Sequence, residues 1–311
     1  MKTIYLENHQ VIDSNQFPPV VLAIGYFDGV HLGHQQVIKK AVEIAQEKGL
    51  DSAVMTFFPH PSVVLKREKP HTRYISPIVD KKELMKSLGV EHLYLVHFTE
   101  ELANLLPQEF VDRFFIDLQV KHVVAGFDFS YGRLGKGTME TLPFHSRGAF
   151  EQTTINQVND QVGKISSTRI RNALVNGKIE EANFLLGRPY YIKGKVVLGD
   201  QRGRTIGVPT ANIHMDGEYF IPRTGVYAVT VEIDGKSFTG MANLGYKPTF
   251  HSDKNEPILE VHLFDVHKDL YDRILKVEFH RFIRDEKKFS GIDELIKQIK
   301  EDEEKIRLFF S

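Results

Sequence analysis

The chain has 311 residues, of which 40 are Lys or Arg and 41 Asp or Glu, for a formal charge of −1 at pH 7. That length predicts two domains, each able to bury an ordinary core, and the balanced charge argues against a general nucleic-acid or membrane-surface binder. There is no cysteine, which excludes disulfides, thiol nucleophiles and thiolate metal sites. The opening Met1-Lys2-Thr3-Ile4-Tyr5 lacks signal-peptide character and no apolar run approaches a membrane span, so a cytoplasmic protein is expected.

In chain order, Val20-Val21-Leu22-Ala23-Ile24 is predicted as a buried parallel strand. It leads into Gly25-Tyr26-Phe27-Asp28-Gly29-Val30-His31-Leu32-Gly33-His34 and then a helical pattern, Val37, Ile38, Ala41, Ile44 and Ala45, that stops at Gly49. His31 and His34, three apart, project from nearly one face of the first turn. Gly25, Gly29 and Gly33 remove side chains where a ligand must approach the backbone. The helix start adds free N–H groups and the positive end of its dipole. Two imidazoles placed there predict a polyphosphate site; the plainer alternative is a strand-turn-helix with two surface histidines.

Further strands are predicted at 52–58, 92–98 and 122–125, with helices at 80–88 and from Pro107, whose apolar face is Phe110, Val111, Phe114, Phe115 and Leu118. Repeated strand-helix-strand units imply a doubly wound, mostly parallel sheet, with ligands beyond the carboxyl ends of its strands. Three more segments there carry unusual residues. Thr56-Phe57-Phe58-Pro59-His60-Pro61 is an imidazole-bearing loop stiffened by two prolines, or simply a rigid turn. Gly126-Phe127-Asp128-Phe129-Ser130-Tyr131-Gly132 suits a stacked nucleobase or flavin ring. Ser166-Ser167-Thr168-Arg169-Ile170-Arg171 opens a helix with groups for phosphate oxygens, although Ser and Thr are also ordinary N-caps.

From about Gly187 the pattern changes to short β-rich runs at 190–198, 225–233, 236–244, 258–264 and 274–282, expected to form a small antiparallel barrel or sandwich. Asp234-Gly235 marks a hairpin. The chain ends in a helix whose stripe, Ile292, Leu295, Ile296, Ile299, Ile306 and Phe309, is expected to pack on the barrel, its charges forming a solvated face. The loop Gly199-Asp200-Gln201-Arg202-Gly203-Arg204-Thr205-Ile206-Gly207-Val208-Pro209-Thr210-Ala211-Asn212 is suited to phosphates. Thr210 and Asn212, two apart on an extended segment, point to one side and together can hold Mg²⁺ by a hydroxyl and an amide oxygen. Glu260 begins a strand and, beside bound ATP, could take a proton from an attacking hydroxyl.

The four front segments together resemble the nucleotidyltransferase domain of the bacterial FAD synthetases, within the wider superfamily marked by His-x-Gly-His. The rear segments, with Pro209-Thr210-Ala211-Asn212 and Glu260, resemble the riboflavin kinase domain fused behind it in the bifunctional members. The resemblance implies an α/β plus β architecture: a Rossmann-like adenylyltransferase domain over 1–186, then a β-barrel kinase domain with a C-terminal helix over 187–311. It implies that riboflavin and ATP give FMN and ADP, and that FMN and ATP give FAD and pyrophosphate. For adenylyl transfer it implies His31 and His34 as catalytic groups. ATP contacts would come from Gly25, Phe27, Asp28, Gly33, Ser167, Thr168 and Arg171, and flavin contacts from Pro59, His60, Pro61, Asp128 and Phe129. Asp28 and Asp128 stay open among ribose, base and Mg²⁺.

For the kinase it implies ATP contacts at Gly199, Gly203, Arg204, Gly207, Pro209, Thr210 and Asn212, with Mg²⁺ at Thr210 and Asn212. Glu260 would be the general base, and Arg284 and Phe289 would meet the flavin. Lys164 stands where some relatives place an arginine. An adenylyltransferase for another acceptor would explain the first domain but not the second. A flavin-sensing regulator that keeps the pockets but little activity is the other alternative. The expected partners are the small molecules ATP, riboflavin and FMN, with no nucleic acid and no membrane.

Overall fold

The structure, a computed structural model, describes residues 1–7, 13–65, 73–199, 207–215, 218–247, 256–266 and 268–311. Compactness divides it into two units, Met1–Ser167 and Thr168–Ser311.

In the first unit six strands form one parallel sheet: β1 (Lys2–Leu6), β2 (Val20–Ile24), β3 (Asp51–Phe58), β4 (His92–His97), β5 (Val120–Gly126) and β6 (Glu151–Ile155). Their order is β1-β4-β3-β2-β5-β6. Val20, Leu22 and Ile24 pack in one layer with Phe110, Phe114 and Phe115. Val21 and Ala23 pack in the other with Val37, Ile38, Ala41, Ile44 and Ala45 of helix α1 (Leu32–Lys48). A strand covered on both faces must be apolar at every position, hence the unbroken run in the sequence. The chain proceeds outward from β2 through β3 to β4, then returns to lay β5 on the other flank of β2. The topological switch therefore falls between β2 and β5, where the loops at 25–31 and 127–129 begin. Helices α2 (Ile78–Ser87) and α3 (Pro107–Val111) complete the part of this unit that bears on the site.

Helix α4 (Ser167–Val175) and helix α5 (Ile179–Leu186) lead into the strands of the second unit. These are β7 (Tyr190–Val197), β8 (Ala211–His214), β9 (Gly225–Ile233), β10 (Lys236–Lys247), β11 (Glu256–Leu263) and β12 (Ile274–Arg284), followed by helix α6 (Ile292–Phe310). The strands close a barrel in the order β8-β11-β10-β9-β12-β7, antiparallel at every joint. Closure leaves no edge strand to be protected. Asp234 (φ 52°) and Gly235 (φ 74°) make the two-residue turn between β9 and β10, the left-handed pair that such hairpins need.

The unit division comes earlier than the expected 186/187 boundary because α5 packs on the barrel. Asn183 donates from Nδ2 to the Phe279 carbonyl at 2.8 Å and accepts the Tyr190 N–H at 2.7 Å. Ile306 of α6 is buried with Ala228, Met241 and Phe264. Two expectations for α6 fail: its charges are not all solvated, since Asp302 is 0 % exposed, and its apolar stripe is not covered along its length, since Ile292 is 64 % exposed.

Candidate active sites

The loop after β2 is shaped by its own side chains. Phe27 (φ 52°), Gly29 (φ 85°) and Val30 (φ 42°) all take left-handed backbone. Sequence spacing assigns Gly25 and Gly33 to clear a ligand's approach, but the fold spends that room differently. A Cβ at Gly25 would lie 2.9 Å from the Phe27 ring, and one at Gly33 would lie 3.2 Å from His31 Cε1. The two glycines admit the Phe27 and His31 rings to the turn.

His31 is the N-cap of α1, its Nδ1 accepting the His34 N–H at 3.2 Å. An accepting Nδ1 leaves the proton on Nε2 as a donor. The His31 and His34 rings stack with centres 3.5 Å apart and planes at 18°, and Phe27 meets His34 edge-on at 5.3 Å. Burial first, then the electrostatic influence of His31, Lys81 and Lys164, holds His34 well below its ordinary pKa. The free protein therefore presents His34 as a neutral imidazole at pH 7, and a polyphosphate brought alongside would raise its proton affinity.

Asp28 is 3 % exposed, and its carboxylate accepts the N–H groups of Ile75 at 3.3 Å and Ser76 at 3.2 Å. The Ser167 hydroxyl donates to the Asp28 carbonyl at 2.8 Å. Both residues thus brace the loop. Thr168 follows on α4, and the Arg171 guanidinium lies 5.5 Å from the centre of the Phe220 ring.

Beyond the ends of β3 and β5 the first unit holds a cavity of about 710 Å³ whose walls include Tyr26, His60, Pro61, Phe129 and Tyr131. The Tyr26 ring stands at 80° to His60 with centres 4.2 Å apart. His60 caps the turn Pro61–Val64 by accepting the Ser62 N–H at 3.0 Å. Phe129 and Tyr131 are stacked at 5.9 Å. Three of the five expected flavin residues, His60, Pro61 and Phe129, line this cavity; Pro59 and Asp128 do not. Asp128 instead accepts a 2.5 Å hydrogen bond from Lys164 Nζ, which lies over the Phe127 ring. Tyr26 and Tyr131 are wall residues that motif reading passed over, although both sit inside the quoted segments.

In the barrel, Asn212 of β8 stands opposite Glu260 of β11, and Glu260 stands opposite Asn243 of β10. Directly opposed side chains have Cβ atoms roughly 5 Å apart, so one polar row crosses three strands. Beside it, under α6, lies a cavity of about 300 Å³ lined by Thr210, Asn243, Glu260, Arg284, Phe289 and Asp302, among others. A second cavity of about 450 Å³ has Thr210, Ala211, Leu270 and Tyr271 in its wall, so Thr210 borders both. A Cβ on Gly199 would run into the Asn212 amide. Gly207 takes φ 77°, and the Pro209 carbonyl pairs with His262 Nδ1 at 2.7 Å. Gly203 and Arg204 lie outside the described residues. The Thr210 hydroxyl and the Asn212 amide oxygen are oxygen donors of the kind a hard dication such as Mg²⁺ prefers, and the Glu260 carboxylate stands opposite Asn212. Asn243 had no spacing signal, because only the pairing of β10 with β11 brings it to Glu260.

Two sites on one chain, each joining a cavity to groups suited to phosphate, define a nucleotide-dependent transferase with two activities. The family model for FAD synthetase matches residues 13–169, and that for riboflavin kinase matches residues 186–310. A bifunctional riboflavin kinase/FMN adenylyltransferase of Bacillus subtilis (strain 168) is 50 % identical over 313 residues, covering 100 % of this chain and 99 % of its own length. The protein of the same name from Escherichia coli (strain K12) is 37 % identical over 295 residues, covering 93 % and 92 %. A crystal structure described as a macrolide-efflux protein from Streptococcus pneumoniae superposes with a TM-score of 0.88 at 37 % identity over 99 % of both chains. The chain belongs to the bifunctional riboflavin kinase/FMN adenylyltransferase family. It phosphorylates riboflavin to FMN and adenylylates FMN to FAD, drawing on ATP for both. Among the described residues no helix is long and apolar enough to cross a membrane.

Proposed function

We propose that adenylyl transfer is run by the loop after β2 and kinase chemistry by the polar row of the barrel. In the first reaction the flavin ring occupies the 710 Å³ cavity, against Tyr26 and the Phe129–Tyr131 stack. An FMN phosphate oxygen attacks the α-phosphorus of ATP, that O–P bond forms, the α–β bridging bond breaks and pyrophosphate leaves. No protein nucleophile is needed, so catalysis is positioning and charge stabilisation. His31 donates from Nε2 to phosphate oxygens, and His34 gains a proton as anionic charge arrives. Gly25, Phe27 and Gly33 shape the turn that presents them. By the family resemblance Ser167, Thr168 and Arg171 meet the triphosphate, whereas Asp28 acts by bracing the loop.

In the second reaction riboflavin enters the 300 Å³ cavity against Phe289 and Arg284, and adenosine enters the 450 Å³ cavity. Thr210, on the border of both, then lies where the γ-phosphate meets the acceptor. Glu260 takes the proton of the attacking riboflavin hydroxyl as its oxygen bonds to the γ-phosphorus, and ADP departs with the bridging oxygen. Thr210 and Asn212 would hold Mg²⁺, which when bound offsets phosphate charge. The reading keeps the enzyme in the cytoplasm, with small molecules as partners.

The observation that carries this proposal is the Asn212–Glu260–Asn243 row beside a cavity lined by Phe289 and Arg284, in a unit that contains neither stacked histidine. Flavin fluorescence titration tests it. Two flavin sites per chain are expected, one lost in Tyr26→Ala and the other in Phe289→Ala. A single site abolished by both substitutions would refute it.

A further inference from the structure

The barrel cavity holds a charge pair of which the kinase chemistry above uses only Arg284. Asp302, on α6, is 0 % exposed. Its Oδ2 accepts from Arg284 Nε at 2.8 Å, and its Oδ1 accepts from Gln298 Nε2 at 3.1 Å. Arg284 also donates from Nη1 to the Asp285 carbonyl at 2.9 Å and lies 5.8 Å from the Phe289 ring centre. Two of its three nitrogens are therefore committed to protein, and the third, Nη2, is the one left for a ligand in the cavity that Arg284 lines.

A carboxylate taken fully out of water is tolerated only when paired, and such a pair adds little net stability over apolar packing. Stability alone gives no reason for a charge in the middle of an apolar stripe. Fixing a planar guanidinium does, because a guanidinium held by two partners points its remaining donors in one direction. The same helix supplies Leu295 and Ile299 to the cavity wall, so α6 delivers the wall and the clamp together.

We propose that Asp302 is a positioning residue for the kinase: it holds Arg284 so that Nη2 donates to a carbonyl on the polar edge of the flavin ring. This rests on the reading that the 300 Å³ cavity takes the flavin.

The test measures riboflavin kinase kcat and KM in Asp302→Asn, Arg284→Met and the double variant of the full chain, with FMN adenylylation as the measure of folded protein. Losing one bond from a charged donor raises KM about tenfold, and this is expected in Arg284→Met. Asp302→Asn should raise riboflavin KM severalfold with kcat changed less than about twofold, and the double variant should be no worse than Arg284→Met, as for residues acting through one contact. A wild-type KM in Asp302→Asn, or effects that multiply in the double variant, overturns the positioning role while leaving the cavity assignment intact. A wild-type KM in Arg284→Met overturns the cavity assignment and the role with it. Should Asp302→Asn fold poorly, Gln298→Ala loosens the carboxylate and keeps its charge. An elevated riboflavin KM there supports the role, and an unchanged one rejects it.

Discussion

Asn212 and Glu260 face each other across two antiparallel strands of the barrel, 48 residues apart in sequence and adjacent in space. In the proposed kinase reaction the pairing sets an amide oxygen for a cation beside a carboxylate for a proton. Glu260→Gln should lower kinase kcat by ~10²–10⁴, the range for loss of a general base. Asn212→Ala should lower kinase activity and raise the Mg²⁺ concentration for half-maximal rate. Because the two are directly opposed on paired strands, their combined loss should fall short of the product of the single losses. Steady-state FMN formation across a Mg²⁺ series measures all three; an unshifted Mg²⁺ requirement in Asn212→Ala would remove that residue from the cation site.

Gly199→Ala should impair the kinase without touching FAD formation from FMN. Its added methyl would meet the Asn212 amide, which must then turn from its place beside Glu260. The expected signature is a raised Mg²⁺ requirement like that of Asn212→Ala. Normal kinase kinetics in this variant would show that the amide is not held where the fold puts it.

The depressed pKa of His34 makes stability depend on pH with a definite sign. The unfolded chain takes up a proton near pH 6.5, while folded His34 stays neutral until a lower pH. Its contribution therefore opposes folding increasingly as pH falls below 6.5, is complete below the folded pKa, and is absent well above 6.5. His122 and His280 are also depressed, chiefly by burial, and tilt the curve the same way. Urea unfolding at pH 7.5 and pH 5.5 should thus show a smaller loss in His34→Gln than in the wild type. Equal losses would mean that His34 titrates normally.

Gly137→Ala probes the first unit's cavity. A methyl there would run into the Tyr131 ring, which is 4 % exposed and packed 5.5 Å from Phe110 between ring centres. With that packing behind it, the ring is pushed toward the cavity it lines. FMN KM in adenylyl transfer should rise while riboflavin phosphorylation is unchanged. An unaltered FMN KM would separate this cavity from flavin binding.

How much of this was legible depends on the range of the interactions involved. β2 could be read outright because burial on both faces leaves an apolar run, whereas β6, Glu151-Gln152-Thr153-Thr154-Ile155, is a polar edge strand with no such pattern. The stacked histidines follow from a three-residue spacing at a helix start. The bracing role of Asp28 does not, because its partners Ile75 and Ser76 arrive from another loop. Asp302 carried a signal that charge obscured: it lies three residues after Ile299 and four before Ile306, within the apolar stripe, and of that helix only Asp302 and Ile306 are buried. Periodicity places a residue on a face, and only tertiary pairing says what an acid on that face is for.

The claim that each unit carries its own reaction is tested most directly by chromatographic product analysis of His31→Ala and Glu260→Ala, each given riboflavin with Mg-ATP and, separately, FMN with Mg-ATP. His31→Ala should accumulate FMN and form little FAD from either flavin. Glu260→Ala should form almost no FMN from riboflavin yet convert supplied FMN to FAD at the wild-type rate. Loss of FMN formation in His31→Ala, or of FAD formation from FMN in Glu260→Ala, would contradict it.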